Sequence, residues 1–230
     1  MEESRWQKTK AKSNWHFDNV YKNEKQFFEV CTFDGEWADS IKNCAAKAED
    51  NTWLEKVGGG MVCQYGDEEA KYCAADFGAV NDIKKAGGDP DVKMYARAKA
   101  DEEEPFKKIT EHFGLSQCNT WFQTQKSGQM AHLHIDQLGK AGREQGDKKN
   151  FRRFIVMLDD WQPGQTFLFG NQYWIWKKGQ CVTWNYKDIP HGTANFSYQD
   201  RPMLQITGLE TEKTKEIIAS GSYKNIVNIV

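Results

Sequence analysis

Metal-binding side chains recur at every second position in AHLHIDQLG, residues 131–139. These are His132, His134 and Asp136, and apolar residues separate them. Alternate side chains of a β-strand point to one face, so the segment predicts a strand with one polar and one apolar face. That polar face is either the solvated side of an edge strand or part of a metal site. None of the three polar residues is Lys, Thr or Ser, which favours the metal site.

A second candidate segment is DIPHGTANFSYQDRPMLQITG, residues 188–208, which contains His191 and Arg201. An imidazole can bind a transition metal, and a guanidinium can grip a carboxylate with two parallel hydrogen bonds. Arg201 is either such a group or a surface charge beside Asp200. Asn195 is either a hydrogen-bond partner for a ligand or a structural turn residue.

Short strand-like segments that could position these residues fill the chain after residue 115. They are rich in aromatic and β-branched residues and are separated by turn signals such as Gly164, Gly170 and Gly179. The predicted strands are 118–125, 151–158, 165–169, 172–176, 181–186, 192–196 and 202–208. Short strands without intervening helices predict an antiparallel sandwich or barrel of jelly-roll type.

The first 115 residues carry mostly helical patterns. Apolar residues recur at helical spacing in 36–50 and in 105–115, where Pro105 suits the first turn and Gly114 the end of a helix. We therefore expect an α+β protein, in which a mainly helical support region, residues 1–115, packs on a jelly-roll catalytic core, residues 116–230.

Charge and composition argue against several classes of protein. The net charge of −2 gives no global electrostatic case for binding nucleic acid or a membrane surface. No apolar run is long enough to span a bilayer, and the N-terminal MEESRWQKTKAK lacks the apolar part of a secretory signal. The six cysteines form no CxxC pair, which is typical of reduced thiols and predicts a cytoplasmic protein.

The chain resembles the Fe(II)/2-oxoglutarate-dependent dioxygenases. His134-Ile135-Asp136, then His191, then Arg201 are similar in order to the HxD…H…R signature of that family, and Arg201 follows His191 by ten positions. The resemblance covers roughly residues 118–208. One departure is Met203, where many members that act on small molecules carry Ser.

This resemblance implies a double-stranded β-helix and an enzyme that is usually a hydroxylase of a C–H bond. The implied Fe(II) ligands and catalytic residues are His134, Asp136 and His191. Two imidazoles and one carboxylate would leave open positions for 2-oxoglutarate and O2, and 2-oxoglutarate would be converted to succinate. Arg201 would bind the far carboxylate of 2-oxoglutarate. We also expect ascorbate to stimulate turnover.

Weaker candidates for cosubstrate contacts are Asn195 and Gln123, with Gln125 beside it. His132 could be a ligand, a neighbour of the ligands or part of a cavity wall. The substrate is a small molecule or a protein side chain that the sequence does not identify.

Two other functions fit the same segments. A cupin would bind its metal through His132, His134 and His191, but the expected Glu is replaced by Leu138 or Gly139. A metal-free jelly-roll module could use the nine tryptophans to line an aromatic ligand cavity. Residues 137–150, rich in Gly, Lys and Arg, form either a solvated loop or a lid over the site.

Overall fold

The computed structural model describes residues 25–52, 93–134, 150–186 and 189–229. Within these ranges there are twelve strands and three helices. None of the described helices combines the length and the apolar character that crossing a membrane requires.

The strands form two sheets. The smaller sheet has the order β5-β10-β7-β8 and consists of β5 (Met130–His134), β7 (Gln165–Phe169), β8 (Gln172–Tyr173) and β10 (His191–Asn195). The larger sheet consists of β1 (Phe28–Gly35), β2 (Glu49–Thr52), β3 (Lys93–Lys99), β4 (Ser116–Gln125), β6 (Phe151–Met157), β9 (Gln180–Thr183), β11 (Arg201–Leu209) and β12 (Ile226–Ile229). Its order is β12-β1-β9-β6-β11-β4-β3-β2. The helices are α1 (Ala38–Lys47), α2 (Glu104–His112) and α3 (Glu212–Ala219).

The strand order is that of a double-stranded β-helix. Successive strands such as β10 and β11 alternate between the two sheets, and the described pairs are antiparallel except for β1 with β12. The fold is a jelly roll, as predicted. The predicted strands after residue 115 are all found, because aromatic and β-branched segments between glycine turns are a strong local signal. Two are shorter than predicted: 172–176 is a strand only over Gln172–Tyr173, and 181–186 over Gln180–Thr183.

The central strand β6 of the larger sheet is buried on both faces, which explains the apolar run FIVM at its end. Ile155 and Met157 of β6 face the smaller sheet, where they join an aromatic cluster that includes Phe169 and Trp184. Phe154 and Val156 face the helices and pack in a second cluster with Phe113. The rings of Phe113 and Phe154 stack with their centroids 4.1 Å apart. The helices therefore support the face of the sheet that points away from the barrel.

The described part of the first 115 residues, 25–52 and 93–115, contains more strand than the mainly helical expectation. Both predicted helices are present as α1 and α2, and Gly114 follows α2 with a φ of +62°. However, β1, β2 and β3 extend the larger sheet. The segment KMYARAK of β3 was not recognised because the face that points away from the cavity includes Ala96 and Ala98, which carry little strand signal. The division between a support region and a core at residue 115 stays a prediction.

Gly179 should tolerate no side chain. Its φ is +81°, and a Cβ would lie 1.9 Å from the carbonyl oxygen of Phe33. We expect Gly179→Ala to lower the free energy of unfolding, measured in urea, by about 1–3 kcal/mol more than Gly128→Ala, because the backbone of β1 must shift. Gly128 is a matched control: its φ is +84°, but a Cβ there meets no atom within 4 Å. Equal losses in the two variants would contradict the close approach.

Candidate functional site

Two of the predicted metal ligands lie side by side. His134 ends β5 and His191 begins β10, and the two residues are partners in the antiparallel register of these strands. Their ring centroids are 4.4 Å apart. His191 is buried and meets the edge of Trp184 at a centroid distance of 4.8 Å. Fifty-odd residues of chain separate the histidines, so it is the pairing of β5 with β10 that brings them together.

The remaining candidates for metal binding lie outside the described residues. These are Asp136 and the side chain of His132, whose backbone belongs to β5. The segment predicted as a loop or lid is likewise undescribed, apart from Asn150. In the described ranges, no group of three or more His, Cys, Asp or Glu residues could hold a metal ion. The three-residue ligand set therefore stays a prediction, of which the structure describes His134 and His191.

A cavity of about 240 Å³ lies between the sheets beside these histidines. Its polar lining, apart from the histidines, is formed by Tyr95, Arg97, Gln123, Arg153, Thr193 and Gln205. Its apolar lining is formed by Ala131, Ile155, Phe167, Trp184 and Met203. The cavity thus combines two imidazoles with an apolar wall and several hydrogen-bonding groups, as small-molecule sites do.

Arg201 begins β11 and is buried inside the barrel, with 1% of its surface exposed. It is therefore not a surface charge beside Asp200, which is exposed. Its Nη2 donates to Oε1 of Gln125 at 2.6 Å, whereas Nε and Nη1 have no hydrogen-bond partner among the described residues. The guanidinium carbon lies 5.5 Å from the ring centroid of Phe167 and 5.8 Å from that of Trp176.

The surroundings of Arg201 penalise its charge. Burial lowers the pKa of Arg201 to about 9, well below its usual range. An isolated buried ion costs several kcal/mol, and a partner of opposite charge offsets that cost. No ion pair joins Arg201 to a carboxylate within the described ranges. This is the environment expected of a group that receives an anionic ligand.

Arg201 does not line the cavity, because the side chain of Phe167 lies between the cavity and its guanidinium. Phe167 lines the cavity and also covers the guanidinium. Gln125, which accepts the hydrogen bond from Arg201, donates from Nε2 to Oγ1 of Thr193 at 3.0 Å and to the carbonyl of Met94 at 2.7 Å. Since Thr193 also lines the cavity, a hydrogen-bonded chain connects the cavity wall with the buried cation.

The two weaker candidates have different surroundings. Gln123 is buried on the cavity wall, where its Nε2 donates to Oε1 of Gln205 at 3.2 Å. Asn195 uses its Nδ2 to donate to the carbonyls of Gln125 and Gln199, both at 2.7 Å. Its Oδ1 accepts from the backbone N–H and the hydroxyl of Ser197. Because both donors and the acceptor of Asn195 are in use, the structure favours its turn role over the predicted contact with 2-oxoglutarate.

Arg97 and Arg153 were not among the candidate site residues predicted from the sequence. Arg153 shares a face of β6 with Ile155 and Met157, so it faces the barrel, whereas the neighbouring Arg152 pairs with Glu210 on the other face. The alternation within FRRFIVM is the signal that could have revealed this. Arg97 belongs to β3, whose strand character was missed.

Comparison with known proteins gives structural likeness at low identity. No family model matches the sequence, and no curated protein matches it either. A Cupin 2 conserved barrel domain protein from Salinispora arenicola is similar, with 7% identity, a TM-score of 0.31 and coverage of 54% of this chain and 83% of that one. A predicted oxalate decarboxylase from Thermotoga maritima has 11% identity, a TM-score of 0.33 and coverage of 50% and 80%.

A third similar structure is a sugar phosphate isomerase from a cupin superfamily, from Silicibacter pomeroyi. It has 12% identity and a TM-score of 0.33, with coverage of 51% of this chain and 60% of that chain. The assignment of the jelly roll rests on the order and register of the strands described above.

Proposed function

We propose that this protein is a non-haem Fe(II) and 2-oxoglutarate-dependent dioxygenase, which hydroxylates a C–H bond of its substrate while 2-oxoglutarate is decarboxylated to succinate. The observation that carries the proposal is Arg201, a buried cation whose Nε and Nη1 have no hydrogen-bond partner among the described residues. It lies inside the barrel that also brings His134 and His191 together. In this proposal 2-oxoglutarate, a five-carbon diacid, would bind the metal at one end and this guanidinium at the other.

The described donors fit the metal. Two adjacent imidazoles are suitable ligands for Fe(II), and Asp136, two residues after His134, would supply the carboxylate of a facial triad. Bound iron would supply the activation of O2 that is coupled to oxidation of 2-oxoglutarate, with ascorbate keeping the metal reduced. Trp184 contacts the His191 ring and would restrict its orientation.

The other residues bind and shield the reactants. Arg201 would hold the far carboxylate of 2-oxoglutarate with charge-assisted hydrogen bonds from Nε or Nη1, together with the second N–H of Nη2. Gln125 accepts a hydrogen bond from Nη2 and so fixes the orientation of the guanidinium. Phe167 would cover the bound cosubstrate. Ile155, Trp184 and Met203 give the cavity an apolar wall that would exclude water from the reacting groups.

A three-histidine cupin oxygenase or isomerase is the second candidate. It is favoured by one observation: the cavity is lined by His134 and His191 but not by Arg201. In that function His132 would be the third ligand, and the buried Arg201 would have only a structural role. Dependence on 2-oxoglutarate therefore separates the two candidates, and metal analysis separates both from a metal-free binding module.

Substrate-free turnover tests the proposal. With Fe(II), ascorbate and O2, we expect slow conversion of 2-oxoglutarate to succinate, and anaerobic titration should show that 2-oxoglutarate binds to the iron-loaded protein. Nickel or cobalt in place of iron should stop succinate formation, since these ions bind to the same ligands but do not support the oxidation of 2-oxoglutarate by O2. Succinate formation at the enzyme-free rate by iron-loaded protein would count against the proposal. Mass-spectrometric screening of small molecules and peptides would then identify the substrate.

A further inference from the structure

A hydrogen-bonded chain of three side chains crosses the barrel beside the cavity. Arg201 and Gln125 are partners in the antiparallel register of β11 with β4, and Thr193 of β10 faces them from the smaller sheet. Gln125 is bonded to both of the others, at 2.6 Å to Nη2 of Arg201 and at 3.0 Å to Oγ1 of Thr193. All three residues are buried. Each hydrogen bond of the chain is therefore shielded from solvent, and its donor can be assigned.

The direction of the chain follows from the hydrogens of each group. A guanidinium only donates, so the side-chain oxygen of Gln125 must face Arg201 and its nitrogen must face Thr193. The same orientation lets Nε2 of Gln125 donate to the carbonyl of Met94 at 2.7 Å. Both hydrogens of this nitrogen are then in use, and an amide nitrogen does not accept. Oγ1 of Thr193 is therefore the acceptor in its bond with Gln125.

The hydroxyl hydrogen of Thr193 is left for the cavity. A threonine hydroxyl has one hydrogen and two lone pairs, and Gln125 occupies one of the lone pairs. No described residue accepts a hydrogen bond from this hydroxyl. Thr193 lines the cavity and shares a face of β10 with His191, two residues earlier. The cavity wall thus presents a donor whose acceptor must come from a ligand or from water.

A carboxylate has the shape to accept from both ends of this chain. The carboxamide of Gln125 is planar and spans Arg201 and Thr193 with one hydrogen bond at each end. A carboxylate is planar and of similar size, and it carries an acceptor oxygen at both ends, which is what two donors require. Arg201 keeps N–H groups that no described residue accepts. Phe167, the register partner of Thr193, lies beside both donors.

We propose that Thr193 is a binding residue for 2-oxoglutarate, whose far carboxylate accepts one hydrogen bond from the Thr193 hydroxyl and a charge-assisted hydrogen bond from Arg201. Gln125 is a positioning residue, because its hydrogen bond to Oγ1 turns the hydroxyl hydrogen of Thr193 toward the ligand. The inference rests on the proposed function for the identity of the cosubstrate.

Paired variants and paired ligands test this contact. T193V removes the hydroxyl but keeps a branched side chain of similar size, whereas T193S keeps the hydroxyl. In anaerobic titrations of the iron-loaded full chain, T193V should bind 2-oxoglutarate about 10–100-fold more weakly than the wild type, because a hydrogen bond to a charged group is lost. T193S should bind it like the wild type. 2-Oxopentanoate, which has a methyl group in place of the far carboxylate, should bind equally to all three proteins.

T166V is a matched control in the same sheet. Thr166 belongs to the neighbouring strand β7, and its hydroxyl is bonded to the backbone of Ala194. The affinity for 2-oxoglutarate should be unchanged in this variant. Wild-type affinity for 2-oxoglutarate in T193V would overturn the inference. Equal weakening of 2-oxoglutarate and 2-oxopentanoate would also overturn it, because it would indicate a structural role. Should T193V not fold, T193A and T193S make the same comparison.

A double-mutant cycle separates direct contact from an effect through Gln125. In a Q125A background, Thr193 has no Gln125 side chain to hold, but its hydroxyl still faces the cavity. Adding T193V to Q125A should therefore weaken 2-oxoglutarate binding further. No further weakening would mean that Thr193 acts only by holding Gln125, and it would overturn the inference.

The same titrations separate this inference from the proposed function. Equal binding of 2-oxoglutarate by the wild type and T193V, together with succinate formation, would remove the role of Thr193 and leave the dioxygenase intact. Conversely, 2-oxoglutarate binding that depends on Thr193 in a protein that never forms succinate would leave the binding site standing and remove the proposed reaction. An iron-loaded wild type that does not bind 2-oxoglutarate would overturn both.

Discussion

Asp136→Ala is expected to weaken iron binding sharply and to abolish succinate formation, whereas His132→Ala is expected to lower iron affinity or activity only about 10–100-fold. In the proposed function Asp136 supplies the only negative charge that the protein gives to Fe(II), while His132 acts at most through a neighbouring ligand. Iron occupancy and succinate formation should be measured for the two variants side by side. His134→Ala is the reference for loss of a ligand, because His134 lies beside His191.

A larger loss of iron in His132→Ala than in Asp136→Ala would contradict the facial triad. A cupin would lose its metal in His132→Ala and keep it in Asp136→Ala, because its third ligand is an imidazole. The fold and the pairing of His134 with His191 would be unaffected by that result, so the comparison tests the ligand set alone.

Arg201→Ala is expected to weaken 2-oxoglutarate binding by roughly 2–5 kcal/mol, because a buried carboxylate loses its charged partner. Iron should be retained, since the histidines are untouched. Arg201→Lys should recover only part of the affinity, because an ammonium cannot reproduce the two parallel hydrogen bonds of the fork. The measurement is anaerobic titration of the iron-loaded variants, with Arg152→Ala as the control. Unchanged affinity in Arg201→Ala would give Arg201 a structural role and favour the cupin.

The pKa of Arg201 predicts how the free energy of unfolding of the ligand-free protein changes with pH. Below pH 9 the Arg201 side chain is charged in both the folded and the unfolded chain, so the cost of burying the charge is fully present at neutral pH. Above pH 9 the unfolded chain binds the proton more tightly than the folded chain, and the penalty falls as the pH rises. A bound anion would offset this cost in the wild type. Saturating 2-oxoglutarate should therefore raise the melting temperature of the iron-loaded wild type at pH 7 more than that of Arg201→Ala.

The sequence predicted the barrel better than the surroundings of its cavity. Strands such as 165–169 are marked by local composition and flanking glycines. The metal-site hypothesis for His134 and His191 came from residue type and order, and the structure places the two rings together. By contrast, Arg152 and Arg153 are adjacent in FRRF, and no local property tells which of them faces the barrel. That choice is fixed by the register of β6 with β11, which depends on residues far away in the chain.

The strands β10 and β11 lie in different sheets, yet only residues 196–200 join them. Asn195 and Ser197 tie this connection by hydrogen bonds to each other and to the carbonyl of Gln199, and Asn195 also bonds to β4. The connection therefore helps to fix the spacing between His191 and Arg201. In the proposed function, this spacing would set the length of the diacid that reaches from the metal to the guanidinium. Selectivity for the length of the cosubstrate would thus reside in a turn that never touches it.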